Sequence, residues 1–235
     1  MSPHTVKAFD DDLDQLRATI SEMGGLAEDA ITESMRALVQ RDTETAFRIM
    51  ERDKRIDELE AQVEAAAVKL IALRAPMADD LREVIAALKI SSMVERIGDY
   101  AMNIAKRVPV LEESNIEPLS LLPEMARIAS EMVHNVLDAF AARDPDKAVL
   151  VCERDRAVDD FYNSIFRTLL THMMENPHNI TPATHLLFVA KNLERIGDHA
   201  TNVAEMVYFA ATGHHIAERP RGGDSTYLAA DRAGE

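Results

Sequence analysis

The chain has 235 residues, a formal net charge of −15 at neutral pH, and a composition that is 47% hydrophobic and 5% aromatic. This acidic balance argues against nucleic acid as a partner, because phosphate contacts need clustered Lys and Arg. No stretch reaches the ~18 unbroken apolar residues typical of a membrane span, and the single cysteine, Cys152, excludes an internal disulfide. One unpaired cysteine is typical of a reducing cytoplasm, so we predict a cytoplasmic protein.

In the first half of the chain, apolar residues recur at three- and four-residue steps, which predicts long helices. The predicted helices span about 5–40, 44–73 and 78–107. Asp42 lies where it can cap the second helix, and Pro76 marks a short connection before the third. The pair Gly24-Gly25 weakens the first helix locally, which predicts either a kink or the close approach of another helix.

The second half repeats this plan after a stretch at 110–123 whose Pro, Asn and Ser residues are typical of a linker. The predicted helices of this half span about 122–142, 146–174 and 183–212. The chain beyond Gly213 contains proline, glycine and small polar residues, so we expect a disordered tail there. The predicted domains are 1–109 for the first repeat, 110–123 for the linker, 124–212 for the second repeat and 213–235 for the tail.

One five-residue motif, Glu-Arg-Ile-Gly-Asp, occurs at 95–99 and again at 194–198. The similarity continues past it, since Asn103 is matched by Asn202 at the same offset. A glycine in mid-helix costs about 1 kcal/mol relative to alanine, so two at equivalent places need a reason. With no strand predicted, the repeat indicates an all-α fold of two pseudo-repeated antiparallel three-helix bundles with six long helices.

Each half also carries two pairs of carboxylates set four residues apart, so that each pair lies on one face of its helix. The pairs are Asp53 with Asp57, Glu95 with Asp99, Asp155 with Asp159, and Glu194 with Asp198. If the connections at Pro76 and Pro177 are the tips of helical hairpins, both pairs of a half lie at matching heights on neighbouring helices. Four carboxylates then converge on one patch, twice over.

Carboxylate oxygens suit hard cations, with Mg²⁺, Mn²⁺ and iron the leading ions by ligand type. One helical turn separates the two levels of carboxylates by ~6 Å. That height leaves room for more than one ion, since bridged metals lie ~3.5–4 Å apart. Asn103 and Asn202 lie one further turn along the same faces, where an amide oxygen adds a ligand. We therefore predict metal sites at these carboxylates and asparagines.

Two other interpretations stay open at this point. The carboxylates could form a solvated acidic face that is partly neutralised by arginines, namely Arg52, Arg96, Arg154 and Arg195. Alternatively, the chain is a metal-dependent helical-bundle enzyme of the ferritin-like or phosphohydrolase kind, since Glu131 and His134 form one Glu-x-x-His motif. That motif is not repeated, because Asp29 and Thr32 hold the equivalent positions. With no nucleophile or phosphate-binding glycine loop in view, we predict that the protein is not an enzyme.

Taken together, these residues resemble the PhoU family of accessory and regulatory proteins of phosphate-specific transport. The resemblance rests on the doubled Glu-Arg-Ile-Gly-Asp with its following Asn, on the Arg-Asp turns, and on the run Arg-Ala-Pro-Met-Ala-Asp-Asp-Leu-Arg at 74–82. It covers about 6–212 and implies two three-helix bundles. In some members it implies multinuclear metal clusters on the Glu/Asp-x-x-x-Asp pairs, which here are the eight carboxylates named above. The implied cofactors are divalent or multinuclear metal ions, either Mg, Mn, Fe or Zn.

The same resemblance implies a role. It suggests a cytoplasmic negative regulator of the phosphate-starvation (Pho) response. Such a protein relays the state of the phosphate ABC transporter, through its ATPase subunit PstB, to the sensor histidine kinase PhoR. We accordingly expect an adaptor between these two proteins that forms a homodimer and reaches the membrane only through its partners.

Overall fold

The computed structural model describes residues 3–112, 114 and 120–216, with side chains from residue 9 onward. The helices are α1 (Pro3–Gln40), α2 (Thr43–Arg74), α3 (Asp79–Ala105), the short α4 (Val108–Leu111), α5 (Leu121–Ala142), α6 (Pro145–Glu175) and α7 (Ile180–Thr212). No strand occurs within these ranges, so the predicted all-α class with six long helices is confirmed. Within the same ranges, no helix combines the length and the apolar character needed to cross a bilayer.

The two Arg-Asp turns fold alike. Asp42 caps α2 and Asp144 caps α6, each by accepting a hydrogen bond from a backbone N–H in the first turn of its helix. The residues just before them, Arg41 and Arg143, have positive φ values of 57° and 53°. A left-handed residue of this kind ends a helix, so each turn both closes one helix and starts the next.

The three long helices of each half pack on one another, and the halves then meet through helices that are equivalent in the repeat. Helix α1 packs on its counterpart α5, and α3 packs on its counterpart α7. Buried apolar residues of both halves belong to one continuous core. Such pairing of each element with its own equivalent is the arrangement produced by an approximate two-fold axis. Helices α2 and α6 make their main contacts within their own halves.

Gly24 lies where α1 crosses α5. A β-carbon on Gly24 would stand 2.1 Å from Cδ1 of Leu137, whereas one on the neighbouring Gly25 would have nothing within 4 Å. Helix α1 itself runs unbroken from Pro3 to Gln40. Of the two explanations offered for the glycine pair, the close approach of another helix is therefore confirmed.

The two helical hairpins differ at their tips. In the second half, Pro177–Asn179 form a single 3₁₀ turn and α7 begins at Ile180. The predicted start near residue 183 is too late, because Pro182 lies within the first turn of α7. At that place the missing proline N–H has no partner inside the helix, so proline is tolerated.

Part of the predicted linker at 110–123 is helical. It overlaps the end of α4 and the start of α5, while residues 113 and 115–119 lie outside the described part of the chain. The helix predicted to run to residue 107 ends at Ala105. The chain turns after Ala105, and α4 then begins at Val108. Pro109 lies in the first turn of α4, where the proline needs no N–H partner.

The stretch directly after α7 packs against the bundle. The ring of His215 stacks on that of Phe209 with centroids 4.9 Å apart, and Ile216 packs against the core. Gly213 ends α7 with a φ of 74°, as a left-handed terminating residue. The rest of the predicted disordered tail, residues 217–235, lies outside the described residues.

Candidate metal centre

The first predicted site lies between α2 and α3, where Gly98 faces α2. A β-carbon on Gly98 would stand 3.3 Å from Oδ1 of Asp53 and 2.7 Å from Cδ1 of Ile56. The glycine thus leaves the space in which the Asp53 carboxylate lies against α3. This close approach explains why the helix tolerates a glycine that costs about 1 kcal/mol of helix propensity.

The second half repeats this contact. A β-carbon on Gly197 of α7 would stand 3.3 Å from Oδ1 of Asp155 and 3.4 Å from Cγ1 of Val158, both on α6. The same carboxylate oxygen, at the same distance, therefore faces the glycine of each motif. The repeated glycine is a feature of helix packing that sets one aspartate of each half beside the motif.

We call Asp53, Asp57, Glu95 and Asp99 the first cluster. The pKa of Asp53 is raised to about 6, first by partial burial and then by the negative charges of Asp99 and Asp57. The pKa of Glu95 is raised to about 7 by partial burial and by neighbouring carboxylates, among which Asp99 has the largest effect. Lys106 acts on Asp53 in the opposite direction, with a smaller effect. The structure therefore brings these four carboxylates near enough to repel one another.

One more carboxylate belongs beside this cluster and is missing from the sequence prediction. The charge of Glu60 on α2 raises the pKa of Glu95, with an effect that follows that of Asp99. Glu60 lies three residues after Asp57 and seven after Asp53, so helical spacing puts all three on one face. The signal is present in the sequence, but a search for pairs four residues apart passes over it.

We call Asp155, Asp159, Glu194 and Asp198 the second cluster. The pKa of Asp159 is raised to about 6 by partial burial and then by the charges of Asp155, Glu194 and Asp198. These four carboxylates are thus also near one another. Here one of the carboxylates is also paired directly, because Lys191 forms an ion pair with Oε2 of Glu194.

The two clusters consequently differ in charge. Tyr162 holds the position that Glu60 holds in the first half, and Lys191 holds the position of Ser92. The ammonium of Lys191 lies 5.2 Å from the centroid of the Tyr162 ring, so the two residues that differ from the first half are neighbours in the structure. Lys106 acts on the first cluster only from a distance, and none of the four carboxylates there forms an ion pair within the described residues. Glu194 of the second cluster is already paired, so the first cluster is the better candidate for a bound cation.

The predicted asparagine ligands are half-buried on α3 and α7. Oδ1 of Asn103 accepts a hydrogen bond from Nζ of Lys106 at 3.5 Å. That lysine is also the cation that acts on Asp53, which places Asn103 at the edge of the first cluster. The role of Asn103 and of its equivalent Asn202 as ligands stays a prediction.

Two of the four arginines considered as neutralising partners pair with the first long helix of their own half, which is α1 or α5. Nη1 of Arg52 lies 3.0 Å from Oε2 of Glu33 on α1. Nη2 of Arg154 lies 3.5 Å from Oε2 of Glu131 on α5. These guanidinium groups are therefore engaged away from the carboxylate clusters.

The two arginines of the repeated motif lie at the interface between the halves. The guanidinium of Arg195 stands 5.7 Å from the ring centroid of Tyr100. Burial, followed by the positive charges of Arg96 and Arg195, lowers the pKa of His199. The charges of Arg96 and Arg195 therefore act beside His199 at this interface, and the partly neutralised acidic face stays a hypothesis.

The donor set of each cluster fits a hard cation, since it consists of carboxylates with no cysteine. The glycine contacts fit as well, because a side chain at Gly98 or Gly197 would fill the space beside the first carboxylate. In the described part of the chain, no three His, Cys, Asp or Glu side chains stand close enough to hold an ion as they lie. Binding therefore requires these carboxylate side chains to rotate toward one another.

The two residues of the Glu-x-x-His motif, on which the enzyme interpretation rests, form contacts between helices. Glu131 pairs with Arg127 of its own helix and with Arg154 of α6. Nδ1 of His134 lies 3.2 Å from Oε2 of Glu28 on α1. Both side chains thus join helices, and the ferritin-like interpretation loses its only motif.

Comparison with known proteins places this fold and repeat in a family. A family profile, that of the PhoU domain, matches twice, at residues 20–108 and 122–207. The chain is 60% identical over 222 residues to a phosphate-specific transport system accessory protein PhoU homolog of Zymomonas mobilis, across 94% of each chain. It is 48% identical over 222 residues to the homolog of Rhizobium meliloti, across 93% of each chain.

Solved structures agree with this similarity. The crystal structure of PhoU from Pseudomonas aeruginosa superposes with a TM-score of 0.84 at 35% identity, covering 88% of this chain and 100% of that one. The phosphate transport system regulatory protein PhoU from Streptococcus pneumoniae gives a TM-score of 0.83 at 27% identity, covering 89% and 100%. The two profile matches coincide with the two halves of the repeat, and the chain belongs to the PhoU family of phosphate transport accessory proteins.

Proposed function

We propose that this protein is a negative regulator of the phosphate-starvation response that links the phosphate ABC transporter to a sensor histidine kinase and thereby modulates phosphate uptake. Membership of the PhoU family supports the accessory role in phosphate transport. The observation that carries the cation part of the proposal is the repeated glycine–carboxylate contact, Gly98 with Asp53 and Gly197 with Asp155. A solvated acidic surface gives no reason for that contact.

The cation sites of this proposal use the two clusters. The ligands are Asp53, Asp57, Glu95 and Asp99 in the first and Asp155, Asp159, Glu194 and Asp198 in the second, with Asn103 and Asn202 as further oxygen donors. Divalent or multinuclear ions of the Mg, Mn, Fe or Zn group suit these oxygens. When bound, such an ion supplies the positive charge that lets all the carboxylates stay ionised. The chain supplies the helix faces that hold four carboxylates at two levels.

The proposed protein partners are the transporter ATPase PstB and the kinase PhoR, both reached from the cytoplasm by a homodimer. The hairpin tips support such contacts, because each exposes large apolar side chains. Met77 at the first tip and Met174 at the second are each 79% exposed, and Leu81 and Ile180 are exposed beside them. Apolar residues grouped at a surface in this way are typical of protein interaction sites.

An adaptor needs no chemistry of its own, and we propose that this protein has none. Its relatives are named as accessory proteins, and its single Glu-x-x-His joins helices instead of facing a second copy of the motif. Incubation of the purified protein with phosphate esters and added Mg²⁺ or Mn²⁺ should give no turnover above that of a heat-treated sample. Metal-dependent hydrolysis would favour the enzyme interpretation instead.

The adaptor role is tested with purified partners. Immobilised protein should retain both PstB and the cytoplasmic part of PhoR, and a chelator should weaken at least one interaction if the cation sites act in signalling. Deletion of the gene should raise expression of phosphate-regulated genes when phosphate is plentiful. Unchanged expression in a clean deletion would count decisively against negative regulation. Sedimentation of the purified chain tests the homodimer separately.

A further inference from the structure

Helices α3 and α7 run antiparallel, and one side of their contact faces solvent. Arg107, just beyond the end of α3, meets His185 near the start of α7, with 3.5 Å between Nη1 and Nδ1. Further along, the guanidinium of Arg195 stands 5.7 Å from the ring centroid of Tyr100, and that ring contacts His199. Arg195 is exposed and the other four side chains are half-buried. We call this strip of surface, from Arg107 and His185 to Tyr100 and His199 and onward along both helices, the seam.

The residues along the seam are basic or neutral. On α3, the positions 89, 93, 96, 100, 103 and 107 follow steps of four and three residues, so they share one face. They hold Lys, Met, Arg, Tyr, Asn and Arg. On α7, the positions 185, 188, 192, 195 and 199 hold His, Phe, Asn, Arg and His. None of them is acidic, although the chain has 41 acidic residues, so the seam is a basic strip on an acidic protein.

The arginines of the seam have no acidic partner within the described residues. Arg96 and Arg195 each lie three residues before the aspartate of their motif, a spacing at which an ion pair forms elsewhere in the chain, yet neither forms one. Nε of Arg107 is buried and has no hydrogen-bond acceptor in the described part of the chain. The guanidinium of Arg107 stands instead 5.1 Å from the ring centroid of Phe188. These groups therefore keep donors for an acidic group from outside the chain.

We infer that the seam binds an acidic, amphipathic helix of a partner protein, which lies along the groove between α3 and α7. The seam from Lys89 to Arg107 is about 27 Å long, enough for about five turns of such a helix. Carboxylates spaced three and four residues apart on the partner contact the seam arginines, and apolar side chains between them pack on Tyr100 and Phe188. Phe188 is available for this contact, since 48% of its surface is exposed. The inference goes beyond the proposed function, because it relies neither on the cation sites nor on the named partners.

The surroundings of the seam favour a narrow partner over a broad anionic surface. Asp99 and Asp198 directly precede Tyr100 and His199, so an acidic cluster borders the seam on each side. A bilayer of anionic lipid or a nucleic acid duplex is wide enough to reach these carboxylates as well, and they repel its negative charge. A single helix is about 10–12 Å across, close to the 8–10 Å that separate two packed helices. It therefore contacts the basic strip alone.

The test uses the full chain, in chelator, and two synthetic peptides of identical composition. The first is a helix of about 18 residues in which glutamate and leucine alternate at steps of three and four residues along one face. In the second peptide, the same glutamates lie on the face opposite the leucines. Fluorescence anisotropy should show saturable binding of the first peptide with a dissociation constant of about 10–100 μM. The second peptide should bind about tenfold more weakly, because it cannot offer its carboxylates and leucines to the seam together.

Charge reversal identifies the residues that bind. The double variant Arg96→Glu with Arg195→Glu should weaken binding of the first peptide about tenfold, since two attractive contacts become repulsive. It should also bind a peptide with lysine in place of each glutamate more tightly than wild type does. The control, Lys69→Glu with Arg167→Glu, makes the same change of net charge at exposed residues of α2 and α6 and should leave binding within about twofold of wild type. If the first double variant fails to fold, Arg107→Gln, which lies away from both clusters, should still weaken binding several-fold.

Four results would overturn the inference. Equal binding of the two peptides, or equal losses in the seam variant and in the control variant, would mean that charge acts without a defined site. Vesicles of phosphatidylglycerol that bind wild type more tightly than the seam variant would identify a membrane surface as the partner. A seam variant that sediments as a monomer while wild type is a dimer would identify a second copy of this chain. The adaptor role is unaffected by any of these results, because retention of PstB and PhoR tests it separately.

Discussion

Tyr100 and His199 hold equivalent positions in the repeat and contact each other, with ring centroids 5.2 Å apart and an angle of 73° between the ring planes. Each directly follows the aspartate of its Glu-Arg-Ile-Gly-Asp motif. Equivalent residues meet in this way only where an approximate two-fold axis passes between the halves. The contact therefore marks the centre of the α3–α7 interface, one residue away from an aspartate of each carboxylate cluster.

This aromatic contact should be measurable as a coupling between the halves. An edge-to-face pair is worth about 0.5–1.5 kcal/mol beyond its buried area. In a double-mutant cycle of Tyr100→Ala and His199→Ala, we expect a coupling of about 0.5–1 kcal/mol in the free energy of unfolding. The same cycle between Tyr100 and Tyr162, which lies on α6, should give a coupling near zero. Additive effects in the first cycle would mean that the rings do not interact.

The two adjacent glycines of α1 should respond to alanine in opposite ways. Gly25→Ala should raise the free energy of unfolding by about 1 kcal/mol, because the helix gains propensity and nothing lies within contact distance of the new methyl group. Gly24→Ala gains the same propensity but forces Leu137 to move, and overpacking of a core costs about 1–3 kcal/mol. Urea denaturation of both variants should therefore rank Gly24→Ala below Gly25→Ala. The reverse order would contradict the close packing of α1 on α5.

The raised pKa of Glu95 should make the stability of the first cluster depend on pH. In the folded protein its pKa is about 7, against an ordinary value of 4.5, so the folded state holds the proton more tightly. Stability in chelator should therefore fall as the pH rises through this window, since ionised Glu95 is partly buried and is also repelled by its neighbours. Glu95→Gln should stabilise the protein relative to wild type more at about pH 8 than at about pH 5.

A matched control separates this effect from other titrating groups. Glu51→Gln changes an exposed residue of α2 and should leave the difference from wild type the same at both pH values. Comparison with wild type at each pH also cancels the histidines, whose titration is common to both proteins. An equal effect of Glu95→Gln at both pH values would show that neither burial nor the neighbouring carboxylates raise the pKa of Glu95 in the folded protein.

Removal of one carboxylate should separate a cation site from a plain acidic face. With Mg²⁺ or Mn²⁺, the melting temperature of wild type should rise with metal concentration, because the ion binds only the folded state. Asp99→Asn should lose much of that rise and, in chelator, should be as stable as wild type or slightly more so. Asp198→Asn should lose less, since Lys191 already balances part of the second cluster.

The acidic-face interpretation predicts a different pattern for the same variant. If Asp99 is only a surface charge, its replacement should cost up to about 1 kcal/mol in metal and in chelator alike. Identical metal responses of wild type and Asp99→Asn would remove the first cluster from the proposal. Glu60→Gln extends the comparison to the carboxylate that the sequence prediction omits, and it should weaken the metal response less than Asp99→Asn does.

Local patterns in the sequence were sufficient to predict most of the helices. Apolar spacing located the six long helices, and Asp42 and Asp144 mark helix starts because their side chains satisfy free N–H groups. The repeat singled out all eight carboxylates as candidates, and the raised pKa values of Asp53, Glu95 and Asp159 indicate that each set of four lies together, while their role as metal ligands stays a prediction. The helix boundary at Ile180 was missed because Pro182 in a first turn looks like an interruption.

Contacts between the halves could not be predicted in the same way. The faces of α1 and α3 that meet α5 and α7 are apolar in the same manner as the faces that fill each half, so their partner is set only by the tertiary fold. Gly24 shows that some helix comes close but does not say that it carries Leu137. The ion pair of Lys191 with Glu194 is different, because these residues lie three apart on α7 and sequence spacing alone could have indicated it; a search restricted to pairs of carboxylates passes over it.

The packing of each helix on its own equivalent has a consequence for the history of the chain. Two identical copies can form such an interface, so a single three-helix ancestor had the means to pair with itself before gene duplication joined the copies. Fusion then freed each copy to change alone. Lys191 in place of Ser92, and Ala87 in place of Leu186, are divergences that a pair of identical subunits could never acquire on one side only.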